Sequence, residues 1–167
     1  MCENPQVEVN GKILFGVDFL NIMRWMELPD ENEEFDQEKQ EVVDTVAMFL
    51  LAQWDFNIEE IDKADKLFWE KVNSESSNEI IIKVVERIVG FLEGSKNDQE
   101  KFFVNLATVA LMDSTYINHE RIMMEEFQKR FDFRPSEVDA IYEKGWSWSR
   151  GFDILGDTYV KLAQKNQ

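Results

Sequence analysis

Residues 106–133 constrain the chain more than any other stretch. An apolar run ends at Met112, a short polar turn spans 113–118, and a second amphipathic run starts at His119. Apolar residues recur here every three or four positions, the period of a helix with one buried face. The stretch therefore reads as a helical hairpin. Gly numbers 7 and Pro 3, too few for the many tight turns of a β-sandwich.

The rest of the chain repeats that period. Residues 13–28 are apolar on nearly all sides, which suits a helix buried between neighbours. Pro29 ends it, because the residue before proline is biased away from the helical region. In the second segment, 38–54, Val43, Val46, Ala47, Leu50 and Trp54 share one face. The third, 58–72, places Ile61, Phe68 and Val72 on a stripe, with Asp65 as a polar exception at its edge. A fourth runs over 79–93. Its β-branched run would also suit a strand, but Ile81, Val84, Val85, Ile88 and Leu92 keep helical spacing, and Gly94 stands where a helix stops. A fifth covers 98–112 and a sixth 118–131, with Asn118 as its N-cap. Pro135 opens a short seventh. A last helix starts near Ser147, where Trp148, Phe152, Leu155, Tyr159 and Leu162 form a two-heptad seam. That seam suits packing on its own chain, and it would also suit a homodimer.

The expected fold is all-α, a single-domain bundle of about seven or eight helices over 11–167, behind a loose arm at 1–10. With 167 residues the chain is long enough for one domain with a real core.

Charge narrows the partners. The net charge is −16. Such a surface repels nucleic-acid phosphates and anionic membranes and favours cations and basic proteins. Seven carboxylates and one lysine fall within 29–41, which reads as a solvated loop or as a docking segment for a basic partner. No apolar run is long enough to cross a membrane. Residues 1–10 hold no basic residue ahead of an apolar core, so no signal peptide is expected. The single cysteine, Cys2, excludes an internal disulfide and a cysteine-based zinc site, and the cytoplasm is the expected compartment.

Little in the sequence supports catalysis. One histidine, His119, cannot build a di-metal centre with paired Glu-x-x-His motifs. There is no glycine-rich phosphate loop and no Gly-x-Ser-x-Gly. An EF-hand register starting at Asp113 fails, because Ile117, Asn118 and Met124 stand where oxygen ligands and a glycine belong. Acid–base work by two carboxylates would need a pocket that separates their pKa values, and the sequence does not single out two. Trp146, Trp148 and Arg150 lie within five residues of one another, a candidate hot spot for a protein partner.

The two central hairpins are alike. Residues 50–72 can be laid on 109–131 with one gap, so that Asp55 meets Asp113, Ile58 meets Ile117, Phe68 meets Phe127 and Val72 meets Phe131. Each aspartate could accept from the open amides of its turn. The pattern Leu111-Met112-Asp113-Ser114, Ile117, Glu120, then Phe133-Arg134-Pro135-Ser136-Glu137, resembles the TerB-like (tellurite-resistance protein B) family. The resemblance covers 101–144 well and 41–92 loosely. Ser114 departs from the family's glycine, and the first copy has Ile61 where its glutamate belongs. The resemblance implies a duplicated helical hairpin within about 41–144 and a non-enzymatic stress-response or adaptor role. It also implies a divalent cation, calcium or zinc, at Asp113 and Glu120, with Asp55 as the weaker counterpart. The alternative is an acidic interaction module that docks a basic protein without metal.

Overall fold

A computed structural model describes residues 6–27, 37–72, 77–112 and 118–165. Among them are seven helices and no strand. They are α1 (Gln6–Met26), α2 (Gln37–Ala52), α3 (Ile58–Val72), α4 (Ser77–Phe91), α5 (Lys96–Ala110), α6 (Asn118–Arg130) and α7 (Pro135–Lys165). The all-α bundle expected from the spacing is the fold.

Helix α1 is the centre, for the reason its composition implied. Phe15, Val17, Phe19, Leu20, Ile22, Met23 and Met26 are all buried, on every side of the helix. It packs against α2, α3, α4, α5 and α6. The helices α2, α3, α5 and α6 thus all lean on α1. Aromatic rings tie the layers together: Phe102 of α5 meets Phe19 of α1 edge-on at 5.8 Å and Phe127 of α6 at 5.0 Å.

Helix ends follow local chemistry. Gly94 takes φ +82 behind α4, the left-handed position that glycine enters at little cost. Ser95 caps α5, its hydroxyl accepting from the Asp98 amide at 3.4 Å. Behind α6 the left-handed residue is Asp132, φ +54. The Phe133 amide reaches back to the Gln128 carbonyl at 3.2 Å, closing a Schellman-type turn.

Three expectations need correction. The arm placed at 1–10 is helical from Gln6 onward. The break expected between a seventh and an eighth helix is absent: α7 runs unbroken through Gly145 and Gly151. Gly145 is a contact point, since a Cβ there would lie 2.6 Å from the Cβ of Ala107 on α5. Of the seam expected on α7, Trp148 is exposed and the buried position is Ser149, while the side chains of Phe152, Leu155, Tyr159 and Leu162 lie outside those described. Residues 138, 141, 145 and 149 carry the buried stripe, the drift expected of a 3.6-residue period.

Candidate functional site

The turn between α2 and α3 is held by side chains of α5. Trp54 Nε1 donates to Asn105 Oδ1 at 2.9 Å, fixing the end of α2 to α5. Lys101 Nζ donates to the Gln53 carbonyl at 2.9 Å and lies 4.4 Å from the centre of the Trp54 ring. A cation on open carbonyls at a helix C-terminus is favourable. The chain then reverses through Asp55 with φ +61, a conformation that aspartate tolerates better than most residues. Asn57, not Asp55, caps the next helix: its Oδ1 accepts from the Glu60 amide at 3.3 Å. The capping role expected of the turn aspartate therefore falls two residues later.

This turn faces the start of α1 across a cleft of 370 Å³. Ile13, Phe56 and Ile61 supply apolar lining, and Lys12, Asp55, Asn57 and Glu60 supply polar lining. Phe56 is held edge-on to Phe15 at 5.7 Å and stacked beside Trp54 at 6.2 Å. Beside the cleft α1 and α3 approach closely, because Gly16 leaves room for the side chain of Ile61, which also lines the cleft. The carboxylates of Asp55 and Glu60 make no hydrogen bond or ion pair among the described residues, and neither does the Lys12 ammonium.

Of the residues proposed to hold a cation, Asp113 lies outside the described residues. Glu120 is 0 % exposed, in the first turn of α6. Its neighbour His119 stands edge-on to Trp25 at 4.6 Å. Asp55 is exposed at the other end of α1, beside Lys12. Position 12 and position 25 are about 20 Å apart along a helix, so Asp55 and Glu120 cannot share one ion. Among the described residues no group of three or more His, Cys, Asp or Glu could hold a metal ion.

The structure joins two of the three proposed partner-binding residues. Arg150 stacks over the ring of Trp146 at 4.1 Å and donates through Nη2 to the Leu111 carbonyl at 2.9 Å. This guanidinium closes the C-terminus of α5. Trp146 remains 51 % exposed and Trp148 40 %. Two residues apart on a helix, they do not share a face.

Sequence reasoning missed the ion pairs that hold the bundle. Asp65 is not at the edge of its stripe: it is buried and accepts from both terminal nitrogens, Nη1 and Nη2, of Arg24. Burial opposes the charge of Arg24, but the bonds to Asp65 and Asp44 outweigh it and raise the pKa. Asp18 is 1 % exposed and accepts from Arg87 Nε and Nη2 at 2.9 and 2.8 Å. Burial raises the Asp18 pKa, and the Arg87 bonds oppose that rise. Arg130 pairs with Glu86, lowering the carboxyl's pKa through the hydrogen bonds. Arg24 and Arg87 are therefore bound within the bundle, and Arg130 is paired at its surface. No helix among the described residues is long and apolar enough to cross a membrane.

No protein-family profile, characterised protein or solved structure matches this chain.

Proposed function

We propose that the protein is a non-enzymatic adaptor, of the stress-response kind implied by the TerB-like resemblance, that docks a basic protein partner on its acidic surface. One observation carries the docking role. Arg24, Arg87 and Arg130 are paired with the chain's own carboxylates, and Arg150 caps a carbonyl. Exposed acids such as Glu38, Glu41, Asp55, Glu59 and Glu60 remain for a partner. Opposite charge speeds encounter and selects partners.

The test is titration of a labelled oligolysine peptide, followed by fluorescence anisotropy, from about 0.05 to 0.5 M salt, where the screening length contracts severalfold. Binding that weakens steeply with salt is expected. No binding at the lowest salt overturns the reading.

A divalent cation at Asp113 and Glu120 is a second reading. It is favoured by Glu120, a fully buried carboxylate in the first turn of α6, seven positions after Asp113 in the sequence. Metal titration decides it.

A further inference from the structure

We propose that the cleft between the start of α1 and the α2–α3 turn is the place where that basic partner docks, and that it takes one lysine or arginine side chain. The inference rests on the docking role above and names its site.

The cleft matches such a side chain in two ways. Lysine and arginine have an apolar stem and a charged head. Ile13, Phe56 and Ile61 offer an apolar floor, and Asp55 and Glu60 offer carboxylates beside it. The volume, 370 Å³, lies at the low end of ligand pockets, right for one side chain and its flanking backbone.

The two carboxylates are also available. Asp18, Asp44, Asp65, Glu86 and Glu137 are committed to ion pairs. Asp55 and Glu60 are not, and Asn57 has relieved Asp55 of the capping task. Exposed Glu59 adds to the same local field. Lys12, on the cleft wall, holds a positive charge that opposes the incoming cation. It lowers affinity and limits the site to one head group.

Diffuse attraction to a chain of charge −16 would also draw oligolysine, so the experiment uses charge-matched variants of the full chain. Asp55→Asn with Glu60→Gln removes two charges at the cleft. Glu38→Gln with Glu41→Gln removes two at the start of α2, which lies at the opposite end of α1 because Asp44 meets Arg24 there. The labelled oligolysine peptide is the probe. The cleft pair should weaken binding about fivefold to tenfold, the sum of two exposed ion pairs, and the remote pair by less than about twofold. Phe56→Ala, which leaves the net charge unchanged, should also weaken it. Equal weakening by both pairs, with no effect of Phe56→Ala, overturns the cleft and leaves charge docking standing. No binding by the unaltered chain overturns the docking role itself.

Discussion

Arg24 and Asp65 meet through two parallel hydrogen bonds, Nη1 to Oδ1 at 2.7 Å and Nη2 to Oδ2 at 2.8 Å. Arg24 Nε also donates to Asp44 Oδ1 at 2.7 Å. One side chain of α1 thus clamps α2 and α3 together. The two acids differ in exposure, and the difference sets the cost of removing either. Asp65 is buried and Asp44 is 41 % exposed. Arg24→Ala strands Asp65 inside the bundle and should cost about 3–5 kcal/mol in urea unfolding. Asp44→Ala should cost under about 1 kcal/mol, since water can replace what it loses.

The Asp18–Arg87 pair makes a pH-dependent prediction. Removing Arg87 deletes the bonds that lower the Asp18 pKa and leaves burial, which raises it. A carboxyl whose folded pKa exceeds its unfolded value stabilises most below the unfolded value. That stability is lost as pH rises through the folded pKa. Arg87→Ala should therefore be least destabilised in acid, below the ordinary value of 3.8, and increasingly so toward neutral pH. Asp18→Asn in the same background should abolish the trend. Unfolding free energies across the acid range would show it, and a pH-independent deficit would contradict it.

Gly145 is fixed by contact. An added Cβ would lie 3.0 Å from the Ala107 carbonyl carbon and 3.1 Å from the Thr108 nitrogen, both backbone atoms. Neither can rotate away, so Gly145→Ala should cost about 1–3 kcal/mol through separation of α5 and α7. At Gly151 an added Cβ would meet nothing within 4 Å. There the same change should stabilise by up to about 1 kcal/mol through helix propensity. Thermal unfolding of the two variants gives shifts of opposite sign.

Spacing and punctuation revealed what is local in this fold. The spans of α2 to α6 are legible because apolar period, Gly94 and Ser95 act within a few residues of the helix ends they set. What joins distant segments is not. Arg24 meets Asp65 across 41 positions and Arg87 meets Asp18 across 69; a lone aspartate on an apolar stripe does not identify its partner. The break placed before Ser147 failed for the same reason, because Gly145 marks a contact with Ala107 that only packing reveals. Of the candidate site, Asp55 was legible as a turn acid. The cleft was not, since its walls come from residues 12–13 and 55–61.

Asp132 sits at φ +54 as the left-handed residue behind α6. Glycine is preferred there, and a carboxylate near a helix C-terminus is unfavourable. Asp132→Gly should stabilise the chain by about 0.5–1 kcal/mol. Asp132→Val, which cannot relax into that region, should destabilise it by more than that. Chemical unfolding of both reads the sign.

The cation reading makes the last prediction. Calcium, zinc and magnesium are titrated calorimetrically into metal-free protein at about 0.15 M salt, where charges farther apart than roughly 8 Å are screened. A cation at Asp113 and Glu120 requires one stoichiometric site, lost in Asp113→Asn with Glu120→Gln. Asp55→Asn should leave that site intact, because Asp55 lies at the other end of α1. It should act only on oligolysine binding. The two variants therefore separate the two readings in a single set of titrations: heat lost with the first and kept with the second places an ion at the start of α6. Weak heat unchanged in both removes the ion and leaves Glu120 as a buried structural carboxylate.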